Sequence, residues 1–74
     1  MTNRHRVLRT RLRRRALVTL KTGDAFDGVL FDADSQSVVL RNASQVGVAN
    51  RGTPVPVDGE VLLLLEDVAY VQMP

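Results

Sequence analysis

Residues 61–67 read Val-Leu-Leu-Leu-Leu-Glu-Asp, and that run constrains the chain more than any other. A β-strand sends successive side chains to opposite faces, so this one is apolar on both. As a helix it is too short to hide more than part of itself. With 74 residues there is room for one small domain. Domains of that size bury a modest share of their surface and lean on a disulfide, a metal or a partner chain. Cys is absent and His5 is the one histidine, so these residues offer neither a disulfide nor a zinc site. Further copies of the chain are the remaining route by which both faces find cover.

Apolar residues make up 45% and aromatic residues only 4%, so the core has to be built from valine and leucine. No run approaches the ~18 apolar residues of a membrane span, and a membrane is not an expected partner. The basic start has no apolar segment behind it, which reads against a secretory signal and toward a cytoplasmic location. Charge is lopsided: seven of the ten basic residues fall within the first fifteen positions, where there is no acid. From Ala16 onward eight acids face Lys21, Arg41 and Arg51. That asymmetry predicts a basic arm, residues 1–15, on a mildly acidic body, residues 16–74.

Leu8 and Leu12 stand four apart, with Val7 beside them and Ala16 a turn on. The spacing predicts a helix over 3–14 with Thr2 or Asn3 as its cap, held by docking Leu8 and Leu12 because its arginines repel one another. Ala16, Val18 and Leu20 then alternate with Leu17, Thr19 and Lys21, the period of a first strand. Gly23 marks a turn, and Phe26, Gly28 and Leu30 share one face of a second strand. A glycine inside a strand points to a sharp bend or bulge. A polar turn at 32–37 leads to a third strand over 37–41. Residues 43–59 hold three Gly and two Pro and read as a long loop, with a short hairpin at Asp58-Gly59 as the alternative. A fourth strand over 60–65, a tight link at Glu66-Asp67 and a fifth strand over 68–72 complete the chain. The fold class is mostly β: an N-terminal α-helix followed by a five-stranded, strongly bent antiparallel barrel.

The stretch "VTLKTGDAFDGVLFDADSQSVVL" resembles the first motif of the Sm-like superfamily of Sm, Lsm and Hfq proteins, with Phe26, Gly28, Leu30, Asp34 and Val39 on its signature positions. "LLLLEDVAYV" is similar to the second motif, where two strands meet at a tight link. The resemblance spans roughly residues 5–73. It implies a ring of roughly five to seven subunits, in which the fourth strand of one chain pairs with the fifth strand of the next. Val61, Leu62, Leu63, Leu64 and Leu65 then offer one side of the seam, and Val68, Tyr70 and Val71 the other. The apolar run asks for the same thing on physical grounds, since a lone barrel would leave one face and an edge in water.

The resemblance also implies single-stranded RNA as a partner, read by stacking and base-edge hydrogen bonds around a pore. The fit to that recipe is poor. Asp34 is present to orient its loop, but Gln36 stands where the family has an aromatic, and Ser37 or Val38 takes its Asn position. Leu64-Leu65 replaces the Arg-Gly of the second motif. RNA binding through phosphates is the reading that survives, with Arg9, Arg13 and Arg14 multiplied around the ring and Ser35, Gln36 and Ser37 meeting bases. The competing reading is an oligomeric scaffold or protein-interaction module without RNA. A monomeric SH3-like barrel suits the strand count, but Phe26, Phe31 and Tyr70 are too few aromatics for its usual pockets. Asp32 and Asp34 form an Asp-x-Asp that turn chemistry explains without a metal, and Ser35 with His5 makes no triad. No cofactor and no catalysis are expected.

Overall fold

The computed structural model describes residues 4–47 and 53–73. The candidate caps Thr2 and Asn3, and residues 48–52 of the expected loop, lie outside them. In chain order the elements are α1 (Arg4–Arg9), β1 (Arg15–Leu20), β2 (Ala25–Ala33), β3 (Ser37–Val46), β4 (Val55–Pro56), β5 (Glu60–Leu64), a 3₁₀ turn at Leu65–Asp67, and β6 (Val68–Gln72). All pairings are antiparallel, in the order β4-β3-β2-β1-β6, with β5 and β4 both lying along the far side of β3.

The helix stops five residues before the expected end. Its arginines have no acid in the first turn to offset them, and the backbone finds better partners elsewhere. Arg13 turns to a positive φ of 70°; its N–H donates to the Leu30 carbonyl at 2.6 Å, and Leu30 N–H donates to Arg14 O at 2.8 Å. These bonds begin the β1–β2 ladder before β1 itself. The docking stripe behaves as expected: Leu8 is buried, and Leu12 packs half-buried against the core.

Two register shifts bend β2 against β3. Between Asp27 and Val29 the extra residue is on β3, where Asn42 takes a positive φ of 50°, a conformation Asn tolerates better than most. Between Leu30 and Asp32 the extra residue is Phe31 on β2. Bulges of this kind bend and twist a strand, which lets a single sheet curl over a small interior. Gly28 lies opposite the first bulge; a Cβ there would stand 3.0 Å from both Ala43 Cβ and Arg41 O. The bend expected at Gly28 is therefore present, and close approach of β3 is what leaves no room for a side chain there. Past this bulge β3 continues to Val46, and Val55–Pro56 pairs with Ser44 and Gln45. Residues 43–46 thus belong to a strand and not to the loop expected over 43–59. Pro56 is accommodated because β4 is an edge strand.

The interior is aliphatic. Leu30, Leu40, Val18 and Val38 are fully buried, with Ala16, Ala33, Ala43, Leu8, Leu63, Leu65 and Val68 around them. Leu65 leaves the expected fourth strand: it opens the 3₁₀ turn and points into the core.

Candidate functional site

The turn between β2 and β3 is organised by one carboxylate. Asp34 Oδ1 accepts from the backbone N–H groups of Gln36 and Ser37, both at 2.8 Å, and from Ser37 Oγ at 3.2 Å. Asp34 N–H donates to Ser37 O at 2.9 Å, closing the turn. The Gln36 carbonyl then accepts from Leu65 N–H at 2.8 Å, which fastens this turn to the link between β5 and β6. Two stretches about thirty residues apart in sequence thus share a cavity of about 300 Å³, lined by Ser35, Gln36, Leu64, Leu65 and Glu66. Its lining offers amide and hydroxyl hydrogen bonds, leucine surface and one carboxylate. A base edge suits those groups better than a phosphate does.

The arginines selected from the sequence have three different surroundings. Arg9 reaches the end of β2, donating to Asp32 Oδ1 at 3.1 Å and to the Ala33 carbonyl at 2.7 Å. Arg13 is exposed in the turn that enters β1. Arg14 helps line a groove beside β6. Further along, Arg15 pairs with Asp27 at 3.0 Å, and Arg41 lies 3.5 Å from the Phe31 ring centroid while donating to Glu60 Oε2 at 2.7 Å. Exposed pairs of this kind contribute only ~0–1 kcal/mol each, but they hold specific guanidinium groups in place. Asp32 is occupied by Arg9 and by its own Ala33 N–H. Among the described residues no group of three metal-ligating side chains comes together, and no helix is long and apolar enough to cross a membrane.

The expected seam residues divide into two sets. Leu63, Leu65 and Val68 are buried in the core of their own chain, so their side chains face its interior. Leu63 and Leu65 take the inward-facing places of their run, and Val68 is buried at the start of β6. Val61 and Val71 are half-buried against that core. The outward positions are a different matter. Leu62 is 63% exposed, Leu64 45% and Tyr70 56%. Among the described residues β5 pairs only with β3, and β6 only with β1, so each has one edge without a described strand beside it. Between α1 and β6 runs an apolar groove of about 590 Å³, with Val7, Tyr70 and Met73 along it and Arg11 and Arg14 among its walls. Sequence reasoning did not find this groove or the parts of Val7 and Arg11 in it, since it is assembled from the two ends of the chain.

No protein-family model matches the chain, and no curated protein matches it. Solved structures do. An Sm protein of Pyrococcus abyssii, in complex with a uridine heptamer, is 27% identical with a TM-score of 0.80, over 93% of this chain and 94% of that one. A novel Sm-like archaeal protein from Pyrobaculum aerophilum is 26% identical with a TM-score of 0.71; 90% of this chain aligns, spanning 48% of that longer one. A heptameric archaeal Sm protein superposes with a TM-score of 0.80 at 18% identity, over 93% of this chain and 97% of that one. A bent antiparallel sheet led by a short helix, closed over an aliphatic core and matched along nearly its whole length, gives this chain the Sm-like fold.

Proposed function

We propose that this chain closes head-to-tail into a homo-oligomeric ring and that the ring binds single-stranded RNA, mainly through phosphates and with weak base selectivity. The observation that carries the reading is the pair of unfilled edges: β5 displays Leu62 and Leu64, while β6 borders the apolar groove. An edge that fits a different edge on the next copy gives a heterologous contact, and such contacts close into rings when the rotation allows. Covering Leu62 and Leu64 is worth roughly 1 kcal/mol or more each, repeated at every seam. The heptameric state of the archaeal Sm neighbour and the uridine heptamer held by the P. abyssii protein support the same reading.

RNA enters through charge. A ring repeats the arginine-rich segment once per subunit, which multiplies a weak phosphate contact into avidity. The cavity at Ser35 and Gln36 has hydrogen-bonding groups for a base but no aromatic platform, and Glu66 in its wall is unfavourable to a passing phosphate. Weak selectivity follows. That same acidic wall favours the second reading, an oligomeric scaffold for a protein partner. Binding in the cytoplasm, not catalysis, is the role either reading assigns.

Native mass spectrometry of nuclease-treated protein tests the ring, with a single closed assembly expected. Titration with oligo-U, oligo-A and mixed-sequence RNA at rising salt tests the ligand. Similar affinities that fall steeply with salt support phosphate binding. Undetectable binding to all three at low salt leaves the scaffold.

A further inference from the structure

The groove between α1 and β6 has arginines in its walls, and this bears on which arginines meet RNA. Resting on the ring reading, we infer that Arg14 is a seam residue, meeting Glu60 at the start of the neighbouring subunit's β5, with Arg11 as a second wall of the same cleft. Every strand pairing within the subunit is antiparallel, and a β5 that extends the sheet beyond β6 in the same manner runs opposite to it. Its Leu64 end then lies beside Val68, and its Glu60 end beside Gln72. Arg14 is at that second end: β1 places Leu17 opposite Gln72, Arg14 precedes Leu17 by three residues, and it shares the groove lining with Met73.

Side-chain alternation brings the charge into line. Glu60, Leu62 and Leu64 are the exposed positions of β5, on one face at successive alternate places. If Leu62 and Leu64 enter the apolar groove, Glu60 follows them to its Arg14 end. Both contacts that Arg41 makes with Glu60 fall on the same oxygen, Oε2, and a carboxylate can accept from a second guanidinium at its other oxygen. Glu60 would thus be shared by Arg41 of its own chain and Arg14 of the next. Complementary charge at a seam fixes register and suppresses wrong pairings as much as it adds affinity.

A double-mutant cycle on ring dissociation tests this, using Arg14→Gln, Glu60→Gln and the double variant in sedimentation velocity at fixed low salt. Each single substitution is expected to raise the subunit dissociation midpoint several-fold, and the double variant no further than the more severe single. Effects that simply multiply in the double variant overturn the pairing. So does an Arg14→Gln ring of unchanged stability with weakened RNA binding, which would make Arg14 an RNA contact. A wild-type chain that stays monomeric at every concentration sinks the ring reading itself, a distinct outcome.

Discussion

The backbone N–H of Leu65 donates to the carbonyl of Gln36 at 2.8 Å, so the turn after β2 and the link after β5 are held as one piece. Asp34 is the residue that shapes the first half of that piece. Asp34→Ala removes three hydrogen bonds to one carboxylate oxygen and is expected to cost ~1–2 kcal/mol, measured by urea unfolding. Asp34→Asn, which keeps an acceptor, should recover part of the loss. Equal losses in the two variants would show that the acceptor geometry is not what matters.

Gly28→Ala probes the bend. The added methyl group meets Ala43 and the Arg41 carbonyl at 3.0 Å, and one of those contacts is backbone that gives way poorly. A destabilisation of ~1–3 kcal/mol is expected, with Gly28→Val worse. Thermal melting reads it, and an unchanged midpoint would remove close approach as the reason for glycine.

Leu40 and Leu62 lie on paired strands, one register place apart, and have opposite fates. Leu40→Ala opens a hole in the fully buried core and should cost ~2–5 kcal/mol, enough to unfold much of a chain this small. The double change Leu62→Ser, Leu64→Ser removes apolar groups that face outward. It should leave the circular dichroism of the subunit native while shifting its sedimentation to smaller species. A native-sized ring from that variant would mean that this face takes no part in assembly.

Arginines should not weigh equally in RNA binding. Arg6→Gln and Arg13→Gln, at exposed positions, are each expected to weaken RNA binding and flatten the dependence of log affinity on log salt by about one phosphate's contribution. Arg9→Gln should do less, because its guanidinium already serves Asp32 and the Ala33 carbonyl. Filter binding across a salt series distinguishes them; a larger effect at Arg9 would reverse the ordering.

Much of this fold was legible because its signals are local. Leu8 and Leu12 carry a helical spacing, Gly28 stands alone between two apolar positions, and the leucines of 61–65 are apolar on both faces whatever the fold. Asp34 was legible as well, since a short acid ahead of a turn has few other uses. What was missed depends on distant partners. The helix ends early because Leu30 supplies backbone hydrogen bonds to Arg13 and Arg14. β3 runs to Val46 because Asn42 absorbs an extra residue opposite Gly28, and no periodicity records a bulge. For the residues of the expected seam, alternation says that Leu62 and Leu64 share a face, but only the position of the core says that Leu63, Leu65 and Val68 turn inward.

The two borders assigned to the proposed seam, one on β5 and one on β6, are unlike each other, so joining through them would be directional. In such a ring a copy whose β6 border is spoiled could still donate its β5 border, so it would join the end of a growing arc and then block that end. Small amounts of such a copy mixed with intact chains would act as terminators, halting closure in proportion to the number of places each circle has to fill.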